Sequence, residues 1–196
     1  MRATIARSSL LAVIVGLFIS TWAQAGPLAT AGTYSSGSTT FDNGGTLKGY
    51  VDWSVFTPGT FPYAGYTPTA GELAYAYQIF VTGSAPVSSF ELVLTDPADN
   101  IGNFNLGGGT APNSQVLNPA TSAKWTFPGI PSGSMSYGLA FSSPRIPQSL
   151  FATVVDTGQS TWVIPLPSPG PNGIPEPATL GLAAVGCVML GLRRRK

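Results

Sequence analysis

From Glu72 to Thr82 large apolar side chains occupy the odd positions, Leu73, Tyr75, Tyr77, Ile79 and Val81, while Glu72, Gln78 and Thr82 stand on the even ones. Successive strand side chains point to opposite faces, so this alternation of period two predicts a half-buried β-strand. Leu47 to Phe56 repeats the scheme, with Leu47, Val51, Trp53 and Val55 against Lys48, Asp52 and Ser54. Ser134 to Phe141 does so again, setting Met135, Tyr137, Leu139 and Phe141 against small residues. Weaker strand signals, rich in β-branched or aromatic residues, cover Val87 to Leu94, Gln115 to Leu117, Lys124 to Phe127, Leu150 to Asp156 and Thr161 to Ile164.

Between these segments lie turn formers: Asp42-Asn43-Gly44-Gly45, Thr57-Pro58-Gly59, Asp96-Pro97, Gly107-Gly108-Gly109, Pro128-Gly129 and Thr157-Gly158. No segment between Gly26 and Ile174 keeps an apolar helical period for three turns. Short strands joined by Gly and Pro turns predict an all-β domain over residues 26–164, a single antiparallel β-sandwich of jelly-roll or immunoglobulin-like type. Residues 165–173, Pro-Leu-Pro-Ser-Pro-Gly-Pro-Asn-Gly, read as a semi-rigid spacer, because proline removes amide donors and favours extended polyproline geometry.

The ends differ from the middle. Arg2 and Arg7 precede an apolar stretch from Leu10 to Ile19, and Ala23-Gln24-Ala25 supplies small residues two apart, the form of a secretory signal over residues 1–25 cut after Ala25. At the other end, Ala178 to Leu192 forms an apolar run of fifteen residues before Arg193, Arg194, Arg195 and Lys196. As a helix it reaches about 22 Å, short of a hydrocarbon core of about 30 Å. Pro177 and Glu176 suit helix initiation, and the basic end acts as a stop-transfer signal on the cytoplasmic side. The sandwich is thus expected between an N-terminal signal helix and a C-terminal transmembrane-like helix.

Charge follows the same division. Six of the nine basic residues lie in the two terminal segments, so Gly26 to Ile174 holds three cations, Lys48, Lys124 and Arg145, against seven carboxylates. A net charge of minus four offers no basic patch for nucleic acid. The only cysteine, Cys187, lies in the apolar tail, so no intramolecular disulfide can form and the core alone must hold the exported domain.

Ile174-Pro175-Glu176-Pro177-Ala178-Thr179-Leu180, followed by an Ala/Gly/Leu segment and a basic terminus, resembles the PEP-CTERM sorting signal of exopolysaccharide-producing Gram-negative bacteria. The resemblance implies that Pro175, Glu176 and Pro177 are read by an exosortase, a membrane cysteine transpeptidase. It also implies transient residence in the inner membrane and transfer of the domain to the cell surface or extracellular matrix. Signal peptidase and exosortase are then processing partners, and exopolysaccharide is the expected neighbour. Leu166-Pro167-Ser168-Pro169-Gly170 resembles a sortase signal but places Pro169 where that chemistry needs threonine.

Chemistry in the domain is sparse. The absence of histidine removes Ser-His-Asp and Cys-His catalysis and histidine metal sites. Val154-Val155-Asp156-Thr157-Gly158 has the aspartic-protease form but no second copy, and reads as a turn. Asp96, Asp99, Asn103 and Asn105, before a triple glycine, make an oxygen-rich loop that is a weak candidate for Ca²⁺. Trp53, Trp125 and Trp162 read mainly as core, whereas Tyr63 and Tyr66, in a Pro/Gly-rich loop, are the candidates for stacking on sugar rings. The expectation is therefore a non-enzymatic protein without a cofactor, with a structural or adhesive role in the surface or biofilm matrix. The alternatives are a carbohydrate- or calcium-binding module and, with less support, a secreted hydrolase.

Overall fold

The computed structural model describes residues 28–119 and 121–173; the expected signal segment and the tail beyond Gly173 lie outside the described residues. Ten strands follow in order: β1 (Thr33–Asp42), β2 (Lys48–Phe56), β3 (Leu73–Val81), β4 (Val87–Val93), β5 (Asp99–Phe104), β6 (Ser114–Asn118), β7 (Ser122–Ile130), β8 (Gly138–Ser143), β9 (Arg145–Asp156) and β10 (Thr161–Gly173). They form two five-stranded sheets, ordered β1-β2-β3-β8-β5 and β10-β9-β4-β7-β6, and all the strand pairs within them are antiparallel. The result is the two-sheet sandwich that the alternating pattern predicts.

The odd-numbered apolar positions of β3 meet those of β2 and β8 in a core between the sheets, where Val51, Ile79, Phe90, Leu92, Trp125 and Phe141 are fully enclosed. An aromatic chain runs through it: Tyr75 stacks on Phe141 with ring centroids 5.1 Å apart, and Phe90 on Trp125 at 6.0 Å. Such large rings bring polar tips, and each tip finds a carbonyl across the gap. The Trp125 indole on β7 donates to Gly102 O on β5 at 3.0 Å. In the other direction the Tyr75 hydroxyl on β3 donates to Arg145 O at 2.7 Å, and the Tyr77 hydroxyl donates to Pro167 O.

Four features depart from the sequence reading. First, β3 is buried on both faces along its whole length rather than half-buried, because its even positions Ala74 and Ala76 are small and something lies over them. Second, β1 and β5 carry too few apolar residues, TYSSGSTTFD and DNIGNF, to give a period; pairing to β2 and β8 makes them strands. Third, Pro128-Gly129 does not end β7 but sits where the register against β4 shifts between Val87 and Ser89, an irregularity that absorbs the proline.

The fourth is a correction: residues 165–173 are not a spacer but the second half of β10, paired residue by residue with β9 from Pro165↔Phe151 to Pro169↔Pro147. The physical reason is phase. Prolines 165, 167 and 169 alternate with Leu166 and Ser168, and in an antiparallel ladder alternate residues direct their N–H groups to opposite sides. On an edge strand the prolines can all fall where no donor is required, leaving Leu166 and Ser168 to bond Leu150 and Gln148. Leu166 and Ser168 are correspondingly buried, and the Ser168 hydroxyl donates to Val93 O at 2.8 Å.

Two outcomes follow. Replacing Tyr77 with Phe leaves the enclosed Pro167 carbonyl unpaired and should lower the unfolding free energy by about 1 to 3 kcal/mol in urea titration. In native-state hydrogen exchange the amides of Leu166 and Ser168 should be protected like those of the central strands, whereas a spacer would exchange them within the dead time.

Candidate functional site

The connection between β2 and β3, residues 57–72, does not loop into solvent. It folds over the outer face of the first sheet, where Ala74, Ala76 and Ala140 leave room, and builds a second apolar cluster with Phe56, Tyr66 and Phe104. Tyr63 stacks on Phe104 at 4.7 Å, and Phe61 meets Phe56, Tyr63, Tyr66 and Phe104 edge-on. The Tyr63 hydroxyl accepts the Ala29 amide. The Tyr66 ring lies on β5, where a Cβ at Gly102 would fall 2.5 Å from it, so only glycine fits beneath. Tyr66 is buried and Tyr63 is half-buried with one face stacked on Phe104, so the two do not form the open platform for sugars that the loop composition suggested.

The proposed calcium loop is also dispersed. Asp96 pairs with Arg145 at 3.3 Å. Asn103 donates to Gln115 Oε1, and Asn105 Oδ1 accepts the Gly107 and Gly108 amides in a tight turn. Asp99 and Asn103 lie on strand β5 itself, an extended segment that holds its residues apart at about 3.3 Å per step. The four do not converge on one point. Asp156 is buried with its Oδ1 accepting the Ser160 amide at 2.8 Å, which makes the Asp-Thr-Gly segment a turn.

Another concavity lies between the edge strands of the two sheets. It is a groove of about 470 Å³ bounded by Tyr34 and Trp53 on one side and by Pro147, Gln148, Pro165 and Pro167 on the other. Tyr34 stands at a register shift between Thr33 and Ser35, where an extra residue re-aims the side chain, and it is 55% exposed. Trp53 lies across β1 over Gly37, where a Cβ would come within 2.6 Å of the indole. On its other side a smaller hollow of about 290 Å³ is lined by Ser36, Ser38, Asp52 and Ser54. The Trp53 indole nitrogen has no hydrogen-bond partner among the described residues. The larger groove thus combines rings, prolines, hydroxyls and one amide without a charged side chain, a lining suited to a neutral ligand with apolar faces. Sequence reading named Trp53 but missed Tyr34, because β1 gave no strand signal.

A perturbed carboxyl lies where the cap joins β3. Glu72, just before β3, has its carboxyl raised above the ordinary glutamate value by burial, then by the Asp99 charge, against the lowering effect of the Ser142 hydroxyl. Burial likewise pushes the Tyr66 phenol up, with the Glu72 and Asp99 charges adding to it.

The expected sorting residues Pro175, Glu176 and Pro177, the cleavage residues Ala23 and Ala25, and the basic end Arg193 to Lys196 lie outside the described residues. Comparison of the sequence places them in context. Residues 173–196 match the family described as the PEP-CTERM protein-sorting motif. No curated protein matches the chain. Among solved structures, an uncharacterized protein from Nocardia farcinica, described as having an immunoglobulin-like fold, is similar at 13% identity over 52% of this chain and 79% of that one, with a TM-score of 0.35.

The raised Glu72 carboxyl has a sign. Its native form holds its proton to higher pH than the unfolded chain does, so stability falls as pH climbs above the ordinary value of 4.5. In chelator-treated buffer Glu72→Gln should melt above the parent at pH 7 to 8, with the difference closing toward about pH 4, as read by circular dichroism.

Proposed function

We propose that this chain, an exosortase substrate by its PEP-CTERM sorting motif, is exported and released as a structural or adhesive component of the cell surface or surrounding matrix. The observation that carries this reading is the match of residues 173–196 to the sorting motif. That motif implies export and a transient membrane association of the C-terminus. Glu176 then supplies a fixed negative charge between two prolines, a charge that a cationic peptidase pocket can recognise.

What the domain presents is surface. On the outer face of the second sheet, Phe151 and Val163 are more than half exposed, beside Pro165 and Val93. Exposed apolar area of this kind favours association with a partner or polymer over solvation alone.

A carbohydrate-binding role is the second reading, and the groove at Tyr34 and Trp53 favours it. Uncharged, ring-lined and open between the sheet edges, it fits a neutral glycan chain better than the half-buried Tyr63 and buried Tyr66 do.

Intact-mass measurement of the extracellular protein tests the sorting reading: residues beyond the Pro-Glu-Pro should be missing, and Glu176→Ala should leave a full-length, membrane-retained form. Intact Arg193 to Lys196 on the released wild-type protein would refute it. For the glycan reading, Trp53→Ala and Tyr34→Ala should each weaken retention on a neutral polysaccharide matrix by about tenfold, in the range of one lost stacking contact. Equal retention of both variants and the parent removes the groove from consideration.

A further inference from the structure

Beneath the cap, four elements bring oxygen atoms to one spot on the outer face of the first sheet. Ser142 on β8 lies opposite both Ala74 on β3 and Asp99 on β5. Its hydroxyl accepts the Thr69 amide at 3.2 Å and lies 3.0 Å from Thr69 Oγ1. Asn100, with φ of 50°, donates to Thr67 O and ties the start of β5 to the cap. Glu72 enters from just before β3 and Tyr66 from the cap; both sense the Ser142 hydroxyl, and Asp99 acts on both.

Two features of this spot stand out. The Tyr66 side chain is 8% exposed and its hydroxyl, though close enough to feel that of Ser142, makes no hydrogen bond of normal geometry; Glu72 Oε2 is likewise enclosed and without one. Buried polar atoms are ordinarily satisfied, so two orphaned oxygens at one place indicate something that binds between them. The second feature is charge. The described residues contain three basic side chains, and these pair with Asp42, Glu91 and Asp96. Among the described residues neither Glu72 nor Asp99 pairs with a cation.

We infer that Glu72, Asp99 and the hydroxyls of Tyr66 and Ser142 form a site for a hard divalent cation, Ca²⁺ by preference, that pins the cap to the sheet. The donor set is oxygen only, with no imidazole or thiolate, which favours calcium over zinc or copper. One divalent ion balances the two carboxylates and satisfies both orphaned oxygens, directly or through a bound water. A groove of about 420 Å³ lined by Phe61, Tyr66, Thr67 and Thr69 adjoins the Tyr66 side of this spot. The site shares only Asp99 with the Asp96 to Asn105 segment, and it does not depend on how the tail is processed. It assigns the cap a role: a clasp whose closure depends on extracellular calcium.

The test uses the full-length chain in detergent, stripped with chelator and titrated with CaCl₂. Sites of extracellular modules bind with Kd of about 10⁻⁴ to 10⁻³ M, so 10 mM Ca²⁺ should raise the melting temperature by about 3 to 10 °C. Glu72→Gln should abolish that shift and the calorimetric binding heat. Asp99→Asn, an exposed change that leaves packing untouched, should weaken binding by at least about tenfold. Tyr66→Phe should keep the unliganded melting temperature while reducing affinity. Asp96→Asn should respond like the parent. Absence of any calcium shift in the parent overturns the inference, and so does an equal shift in Glu72→Gln and Asp99→Asn, which would place the ion elsewhere.

Discussion

The sandwich depends on hydrogen bonds that cross between its sheets from the tips of aromatic side chains. Trp125 reaches from the second sheet to Gly102 in the first, while Tyr75 and Tyr77 reach back to Arg145 and Pro167. Each buries a large ring and would leave a polar atom stranded if its carbonyl moved, so the relative position of the sheets is fixed by direction as well as by packing. The burial of Tyr77 holds its phenol proton far above the ordinary range, which keeps the donor intact at any physiological pH. In a chain whose single cysteine lies outside the domain, these ties supply a geometric constraint that a cross-linking disulfide would provide elsewhere.

The same donors explain why the proline-rich segment belongs to the fold. Tyr77, Ser168 and Thr95 all bond in or beside the second half of β10, anchoring a strand that has lost alternate amides. Those missing amides also deprive this part of the edge of donors for a neighbouring chain, a common protection against edge-to-edge pairing.

What was legible in the sequence was whatever depended on local period. The β3 and β2 alternations emerged because one face of each enters a large apolar core, and the two-sheet class followed from the turns. The pattern failed where tertiary context overrode it. Proline density at 165–173 suggested a spacer, since composition does not reveal that every second residue can face away from a partner. β1 and β5 are strands by pairing, with too little apolar content to announce themselves. Tyr63 and Tyr66 seemed stranded in a loop because the face that receives them is a row of alanines and a glycine, small residues that signal nothing singly. At the candidate sites the contrast is sharper. The tail motif was readable because a processing enzyme reads it as linear sequence, whereas the Tyr34 groove and the Glu72 cluster are assembled from strands distant in the chain.

The strand β10 runs to Gly173, and the Pro-Glu-Pro of the sorting motif begins two residues later. Pro175 and Pro177 keep the odd-numbered phase of prolines 165, 167, 169 and 171. A peptidase that cut at the Pro-Glu-Pro would act within a few residues of a paired strand, with little chain between the two to draw into its cleft. The product would then carry almost no loose stump, and a carboxypeptidase nibbling from the new end would meet a stitched, imide-rich ribbon within a few steps.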